Sequence, residues 1–482
     1  MKHQNAGIAW RRLILVMAVA SCTTLAVGCG GTSASGTAAH SISVTVSGLT
    51  GTGLVLKVNG GDDLSITANG VARFSTTIDS GATYSVTVGT QPAKPAQTCS
   101  VNNGSGTVGT ADITGIAVTC ATAMPVAITL YSFNGADRIG APNGSLVQGP
   151  DGSLYGTTTG AVFRITTLGE ETTLYSFSSN SVGGTTAGLI LANDGNFYGT
   201  TDGDGIGGNS SGSVYRITPN GTESEVYIWS ALDSGDLPIH GGVIQASDGL
   251  LYGAVYGSSV FSLTLGGRES ELDVTGYGAD VVTSSLVQAR DGNLYGASSY
   301  GSVFKVVPPD SGPFMVAVIG NLGKGYFGSL FSLIEGSDGN LYGTTSDGGS
   351  PSATCPNGCG TVFKVTPSGV TTSLYSFGVS PVDGQRPSGA LVLASDGNFY
   401  GTTAAGGSPN PNCKSVNGCG TLYKITADGT ETVLYSFGTS PSDGIGPSGA
   451  LLQASDGSLY GTTASGGSTG AGTVFKLELG AN

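Results

Sequence analysis

The stretch Ala394-Ser395-Asp396-Gly397-Asn398-Phe399-Tyr400-Gly401-Thr402-Thr403 decides the fold, because its centre, Asp-Gly-x-(Leu/Phe)-Tyr-Gly, occurs six more times. The copies begin at Asp151, Asp194, Asp248, Asp291, Asp338, Asp396 and Asp456, at intervals of 43 to 60 residues. A fixed motif at an uneven interval means a repeated structural unit joined by loops of variable length. Asp-Gly is tight-turn chemistry: glycine enters the left-handed region freely, and aspartate folds its carboxylate back on the backbone.

Four strand-like segments accompany each anchor. Around the last they are Leu434-Tyr435-Ser436-Phe437, Gly449-Ala450-Leu451-Leu452-Gln453-Ala454, Leu459-Tyr460-Gly461-Thr462-Thr463 and Thr473-Val474-Phe475-Lys476-Leu477. Four short strands in a unit of this length make a propeller blade. Residues 123–482 are therefore predicted to form a seven-bladed β-propeller, within an all-β chain. Thr129-Leu130-Tyr131-Ser132-Phe133 is a fourth-strand sequence ahead of the first anchor, whereas the last unit ends at Leu479 without one. The early segment should complete the last blade and so remove the free edge of an open array.

The repeat resembles the Gloeo/Verruco (GloVer) tandem repeat family of bacterial surface proteins with varied anchors. The matching residues are Leu374-Tyr375-Ser376-Phe377, Pro387-Ser388-Gly389-Ala390-Leu391, the stretch from Ala394 to Thr403, and Cys419-Gly420-Thr421-Leu422-Tyr423-Lys424. Tyr227-Ile228-Trp229 and Leu272-Asp273-Val274 depart from the fourth-strand motif. The resemblance implies a surface propeller of unassigned activity and carries over no catalytic residues.

Upstream, residues 40–122 show period-two alternation in 41–46, 54–58, 64–67, 72–75 and 84–88, separated by turns such as Asn59-Gly60-Gly61-Asp62-Asp63. This predicts a small β-sandwich. It resembles the immunoglobulin-like modules of bacterial surface proteins, with Cys99 and Cys120 expected to form one disulfide worth about 3 kcal/mol. Residues 1–29 read as an export signal: Arg11 and Arg12 precede the apolar run Leu13 to Val19. Leu25-Ala26-Val27-Gly28-Cys29-Gly30-Gly31 resembles a lipobox in which Cys29 is lipidated, with Cys22 the weaker alternative. Residues 30–39 then form a flexible linker. These features place the chain at the bacterial cell envelope, its membrane contact made by the lipid anchor.

Composition narrows the chemistry. A formal charge of −14 excludes a nucleic-acid partner, which needs a clustered cationic surface. Only three histidines occur: His3 in the signal, His40 at the edge of the small domain and His240 in the repeats. No catalytic residues can be assigned, and neither a metal nor another cofactor is implied. Cys355 with Cys359 and Cys413 with Cys419 lie in equivalent loops, and their spacings differ from those of zinc sites, so two local disulfides are expected. Third strands carry Arg164, Arg216, Lys305, Lys364, Lys424 and Lys476, with Ser262 breaking the series; their stems should pack and their heads pair or be solvated.

In a propeller, the second-to-third-strand loops and the blade connectors share one face. That face carries all the length variation, from Thr158–Gly160 up to Ala404–Cys419, while the Asp-Gly turns opposite hold their length. Binding normally resides on variable loops. Asp137, Asp383 and Asp443 in similar connectors are low-ranked ligand-binding candidates. The reading is a monomeric, non-enzymatic binding or scaffold module for an extracellular glycan or protein; the alternative is a carboxylate-based enzyme degrading extracellular polysaccharide. The anchor is directly testable: Cys29→Ala should move the protein from the membrane fraction to the soluble one and abolish labelling by fatty acid.

Overall fold

The computed structural model describes residues 38–93, 97–122, 127–135, 140–177, 185, 187–201, 210–230, 241–255, 259–273, 284–298, 301–308, 315–322, 333–352, 355–380, 382–413 and 418–479. Among them there is no α-helix. The chain divides into two compact units: one holds residues 55–90, 100–119 and the described residues before 48, the other 48–54, 91–99 and everything from Cys120 onward. This cut differs from a single break after residue 122, since three short segments of the upstream region group with the repeats.

The upstream strands form two four-stranded sheets. One runs Gly70–Asp79, Ala39–Ser47, Ile113–Thr122, Gln97–Asn102, and the other Asp63–Ile66, Leu54–Val58, Thr83–Thr90, Ser105–Thr107. Alternation buries Ile42, Val44 and Val46 on one strand and Leu54, Leu56 and Val58 on another, as period two requires. Cys99 is bonded to Cys120.

Each of the seven anchors lies in the second strand of its own antiparallel sheet. These second strands are Leu154–Thr158, Phe197–Thr201, Leu251–Val255, Leu294–Ala297, Leu341–Thr345, Phe399–Gly406 and Leu459–Gly466. Six sheets contain consecutive strands only. In the seventh, the outer strand is Ala127–Ser132, paired antiparallel to Thr473–Leu477. The segment ahead of the first anchor thus completes the last sheet. Tyr227-Ile228-Trp229 and Leu272-Asp273 also lie in outer strands, of the second and third sheets, despite their altered sequence.

The sheets close into a ring, giving a β-propeller-like array. At the joint of seventh and first sheets, Ser455 N donates to Gln148 Oε1 at 2.8 Å and Ala450 N to Ser145 Oγ at 2.9 Å. The same amide clamp recurs with Gln245, Gln288, Glu335 and Gln453, each accepting from the backbone of the preceding sheet's anchor turn. At two joints leucine replaces the clamp, Leu191 and Leu393, and there the anchor tyrosine packs on a phenylalanine instead: Tyr155 stacks on Phe197 at 4.1 Å and Tyr342 lies tilted on Phe399 at 4.3 Å. Every joint holds one buried apolar cluster, such as Tyr460, Val474, Leu154 and Phe163 between the seventh and first sheets. Each large side chain so buried contributes roughly 1.5–3 kcal/mol.

The anchor itself does more than turn the chain. Its glycine is left-handed in all seven copies, as at Gly397 (φ 81°). Its aspartate accepts the hydroxyl of the tyrosine four residues on, in every copy: Tyr400 to Asp396 at 2.8 Å is representative. Three of the third-strand cations complete the arrangement across the sheet, Arg164 with Asp151, Lys305 with Asp291 and Lys476 with Asp456. Burial alone would raise the Asp291 carboxyl, but donors from Tyr295, Asn293 and Lys305 hold it at about 2.

Two outcomes follow from this geometry. Deleting residues 127–132 strips the outer strand from the last sheet, so the truncated protein should aggregate or melt at lower temperature, read by size-exclusion chromatography and calorimetry. Tyr400→Phe removes one charge-assisted hydrogen bond without changing volume, and should cost about 1–1.5 kcal/mol in urea unfolding.

Candidate functional site

The two ends of the ring differ. At one end lie the anchor turns, each closed by a hydrogen bond from the anchor glycine N–H to the carbonyl three residues earlier, at 2.9–3.1 Å in all seven. Turns from third to outer strand share this end, and five of them are closed alike, for example Gly429 N to Thr426 O at 2.9 Å. The anchor turns are constant in length, and among the turns to the outer strand the fourth sheet's is longer, from Val307 to Met315. At the other end, the connection after the second strand is two residues in the first sheet, between Thr158 and Ala161, but runs from Gly406 to Thr421 in the sixth.

A cavity of about 460 Å³ lies among the upstream ends of the inner strands, where the sheet connectors lead in. Gly144, Gly188, Gly242, Ser285, Gly389 and Gly449 line it, and none of its lining among the described residues is charged. The backbones meet so closely that a Cβ on Gly389 would lie 2.3 Å from the Gly449 carbonyl oxygen, and one on Gly188 2.4 Å from that of Ser145. Second-strand threonines fasten this rim by donating to inner-strand carbonyls of the next sheet: Thr157 to Ala187, Thr200 to Gly241, Thr344 to Gly389 and Thr462 to Gly144. Asn143, also in the lining, accepts from Thr157 at 2.9 Å and donates to Thr185 at 3.0 Å. The recurrent small residues before each inner strand were visible in sequence, but read there as strand, not as the wall of a cavity.

The cysteine pairs are bonded as expected, Cys355 to Cys359 and Cys413 to Cys419. They are not peripheral, however. Cys355 and Cys359 belong to the apolar cluster at the joint of the fifth and sixth sheets, and Cys419 to the next. Gly378 and Gly438 lie under the sulfurs, where a Cβ would approach Sγ of Cys359 and Cys419 to 2.4 and 2.5 Å. The expected loop Ala404–Cys419 also needs correction at its start: the strand continues to Gly406, which bridges to Gly418.

Asp383 and Asp443 occupy equivalent places in consecutive connectors, and both are buried. Asp443 Oδ2 accepts from the Tyr435 hydroxyl at 2.8 Å and from Thr439 N at 2.9 Å, while Oδ1 accepts from Gly444 N. Asp383 Oδ2 accepts from Tyr375 and from Val379 N. In both, Oδ2 accepts from the connector's backbone and from the outer-strand tyrosine before it, a turn-holding arrangement, while Asp383 Oδ1 has no partner among the described residues. Cys29, Asp137 and His240 fall outside the described residues. Among those described, no group of three or more His, Cys, Asp or Glu side chains could hold a metal ion.

Sequence reasoning missed Arg386. It adopts φ 57°, a left-handed conformation taken by Gly446 at the equivalent position of the next connector, and its N–H donates to Cys359 O at 2.7 Å. The arginine side chain is exposed beside the cavity-bearing end. The signal was present, as an arginine standing where the related connectors have Gly140 and Gly446.

Structures of one known protein share the fold. Catalytically inactive virginiamycin B lyase from Staphylococcus aureus, with quinupristin, superposes with a TM-score of 0.50 at 14% identity over 74% of this chain and 99% of its own. The selenomethionine form of that lyase gives 0.51 at 15% over the same shares. A gluconolactonase from Xanthomonas campestris gives 0.38 at 12%, over 74% of this chain and 90% of its own. No curated protein matches the sequence. The Gloeobacter/Verrucomicrobia repeat matches residues 56–259, 100–302 and 329–482, reaching upstream of the first anchor into the small-domain strands. With most of its length matched, the chain belongs to the Gloeobacter/Verrucomicrobia repeat family.

Proposed function

We propose that this protein is an exported, lipid-anchored, non-enzymatic binding module of the bacterial envelope: a seven-bladed propeller preceded by a small immunoglobulin-like sandwich. Its ligand is an uncharged part of an extracellular glycan or protein, taken at the end that bears the connectors. One observation carries this reading: the end whose seven anchor turns are constant contrasts with the end where loops run from two residues to more than ten around an axial cavity whose described lining is uncharged and mostly small. A rigid rim with exposed backbone groups and apolar ledges such as Ile190 and Ile244 suits a neutral polar ligand. Variable loops on a fixed scaffold supply the selectivity.

The seventh sheet offers a built-in control, since its connection from Gly467 to Ala471 takes the place of residues 407–419 in the sixth. Replacing 407–419 by a copy of 467–471 removes the long loop and one disulfide but keeps the strands. A soluble Cys29→Ala protein should bind a defined glycan or protein on an array, and the loop replacement should weaken that binding at least about tenfold, or 1.4 kcal/mol, in a protein that still unfolds cooperatively. Binding unaltered by the replacement would move the site elsewhere. Release of new reducing ends from a bound polysaccharide would instead support the carboxylate-based enzyme.

A further inference from the structure

Among the described residues, three that are not glycine have a positive φ: Asn59, Asn103 and Arg386. Asparagine tolerates the left-handed region because its short amide can hydrogen-bond locally, whereas for arginine a Cβ clash disfavours it roughly tenfold. The next residue is Pro387, and a following proline narrows the choice of backbone further. Gly446 holds the matching place in the next connector at φ 61°, and its N–H donates to Cys419 O as that of Arg386 donates to Cys359 O. A Cβ on Gly446 would meet only the Ala404 carbonyl oxygen, at 3.9 Å. The backbone therefore asks for glycine at this place, and packing does not ask for a side chain.

What the arginine gains is position. Through Cys359 its backbone is tied to the fifth sheet, while Gln385 and Pro387 on either side pair with Ala405 and Thr403 on the second strand of the sixth. The side chain thus starts at the foot of both disulfide-held loops, Cys355 to Cys359 and Cys413 to Cys419, and two residues before Ser388, which lines the axial cavity. It is exposed, and among the described residues its guanidinium has neither a hydrogen-bond nor an ion-pair partner. Strain of this kind persists where function over-determines it. An unpaired planar cation in a protein of net charge −14 is a seat for an oxyanion, and its fork matches a carboxylate in bidentate fashion. Exposed residues of this connector and the next include Val379, Ser380, Val382, Thr439, Ser440 and Ser442. Hydroxyls and narrow apolar ledges suit the alternating polar and C–H edges of a sugar chain. Neither connector, 378–388 or 438–448, carries an aromatic residue of the sort that anchors protein interfaces.

We propose that Arg386 recognises a carboxylate on an acidic extracellular polysaccharide whose neutral portion enters the axial cavity. This rests on the loop-bearing end being the binding end. Arg386 places a cation at the loop bases against the preference of its own backbone, so the fold and the ligand make opposite demands on one residue. That opposition separates a recognition residue from a structural one, whose removal would weaken both.

Calorimetric titration of the soluble Cys29→Ala protein and its Arg386→Gly variant with polygalacturonate, and with the methyl-esterified polymer, tests this. The parent should bind the acid at least about tenfold more tightly than the ester. Arg386→Gly should weaken binding of the acid at least about tenfold, leave any affinity for the ester unchanged, and raise the folding equilibrium constant about threefold as the Cβ clash is removed. Lost binding accompanied by lower stability would make Arg386 a structural residue and overturn the proposal, as would equal affinity for acid and ester, or no binding of the acid. Tighter, Arg386-dependent binding of poly-glutamate would assign the residue to an acidic protein and overturn it too. The two readings fail separately: an Arg386→Gly effect with none from replacing 407–419 denies the long loop its role, and the converse denies Arg386 its own.

Discussion

Close approach of inner strands around the axis is the constraint on which the ring depends. Seven sheets converge on a narrow centre, and at Gly144, Gly188, Gly389 and Gly449 there is no room for a Cβ. Such glycines cost about 0.5–1 kcal/mol each in chain entropy. The cost is offset further out, where the wedge between neighbouring sheets widens and is filled by tyrosine, phenylalanine and leucine from both sides. Small residues at the axis and large ones outside are thus a single geometric requirement.

Joints meet that requirement in two ways. Five use a glutamine or glutamate on the inner strand to clamp the preceding anchor turn. At the other two, Leu191 and Leu393 occur together with Phe197 and Phe399 in the anchor and Tyr215 and Tyr423 on the third strand. Amide clamp and aromatic stack are alternative means of fixing the same angle, and the residues change as a set. Introducing a third-strand tyrosine also introduces a buried hydroxyl, and neither Tyr215 nor Tyr423 finds a partner for it.

Much of this was legible in sequence because it is local. Asp-Gly turns, period-two strands and cysteines a few residues apart carry their geometry in short windows, and closure by residues 127–132 followed from a motif on the wrong side of its anchor. Contacts between repeats were not legible. Ser455 and Gln148, or Asn143 and Thr185, lie far apart in the chain, and their contacts arise only when two sheets are placed side by side. The third-strand cations could be assigned to one position but not to a partner, because the anchor aspartate looked fully used by its turn. Tyr400 reaching back to Asp396 and Lys476 reaching across to Asp456 show it had capacity to spare.

The strand that completes the seventh sheet has a consequence for how the chain becomes folded. Ser132 meets Ser468 across 336 residues, so the first outer strand to be made must wait for the last three strands of the ring. Until then it is an unpaired edge, exposed throughout synthesis. The entropic charge for closing so long a loop rises only about 0.6 kcal/mol per doubling, so the penalty is one of time more than of stability. Sheets one to six can form in order as they emerge. The seventh makes completion of the whole an all-or-none event, in which a chain lacking its final strands cannot pass for a finished one.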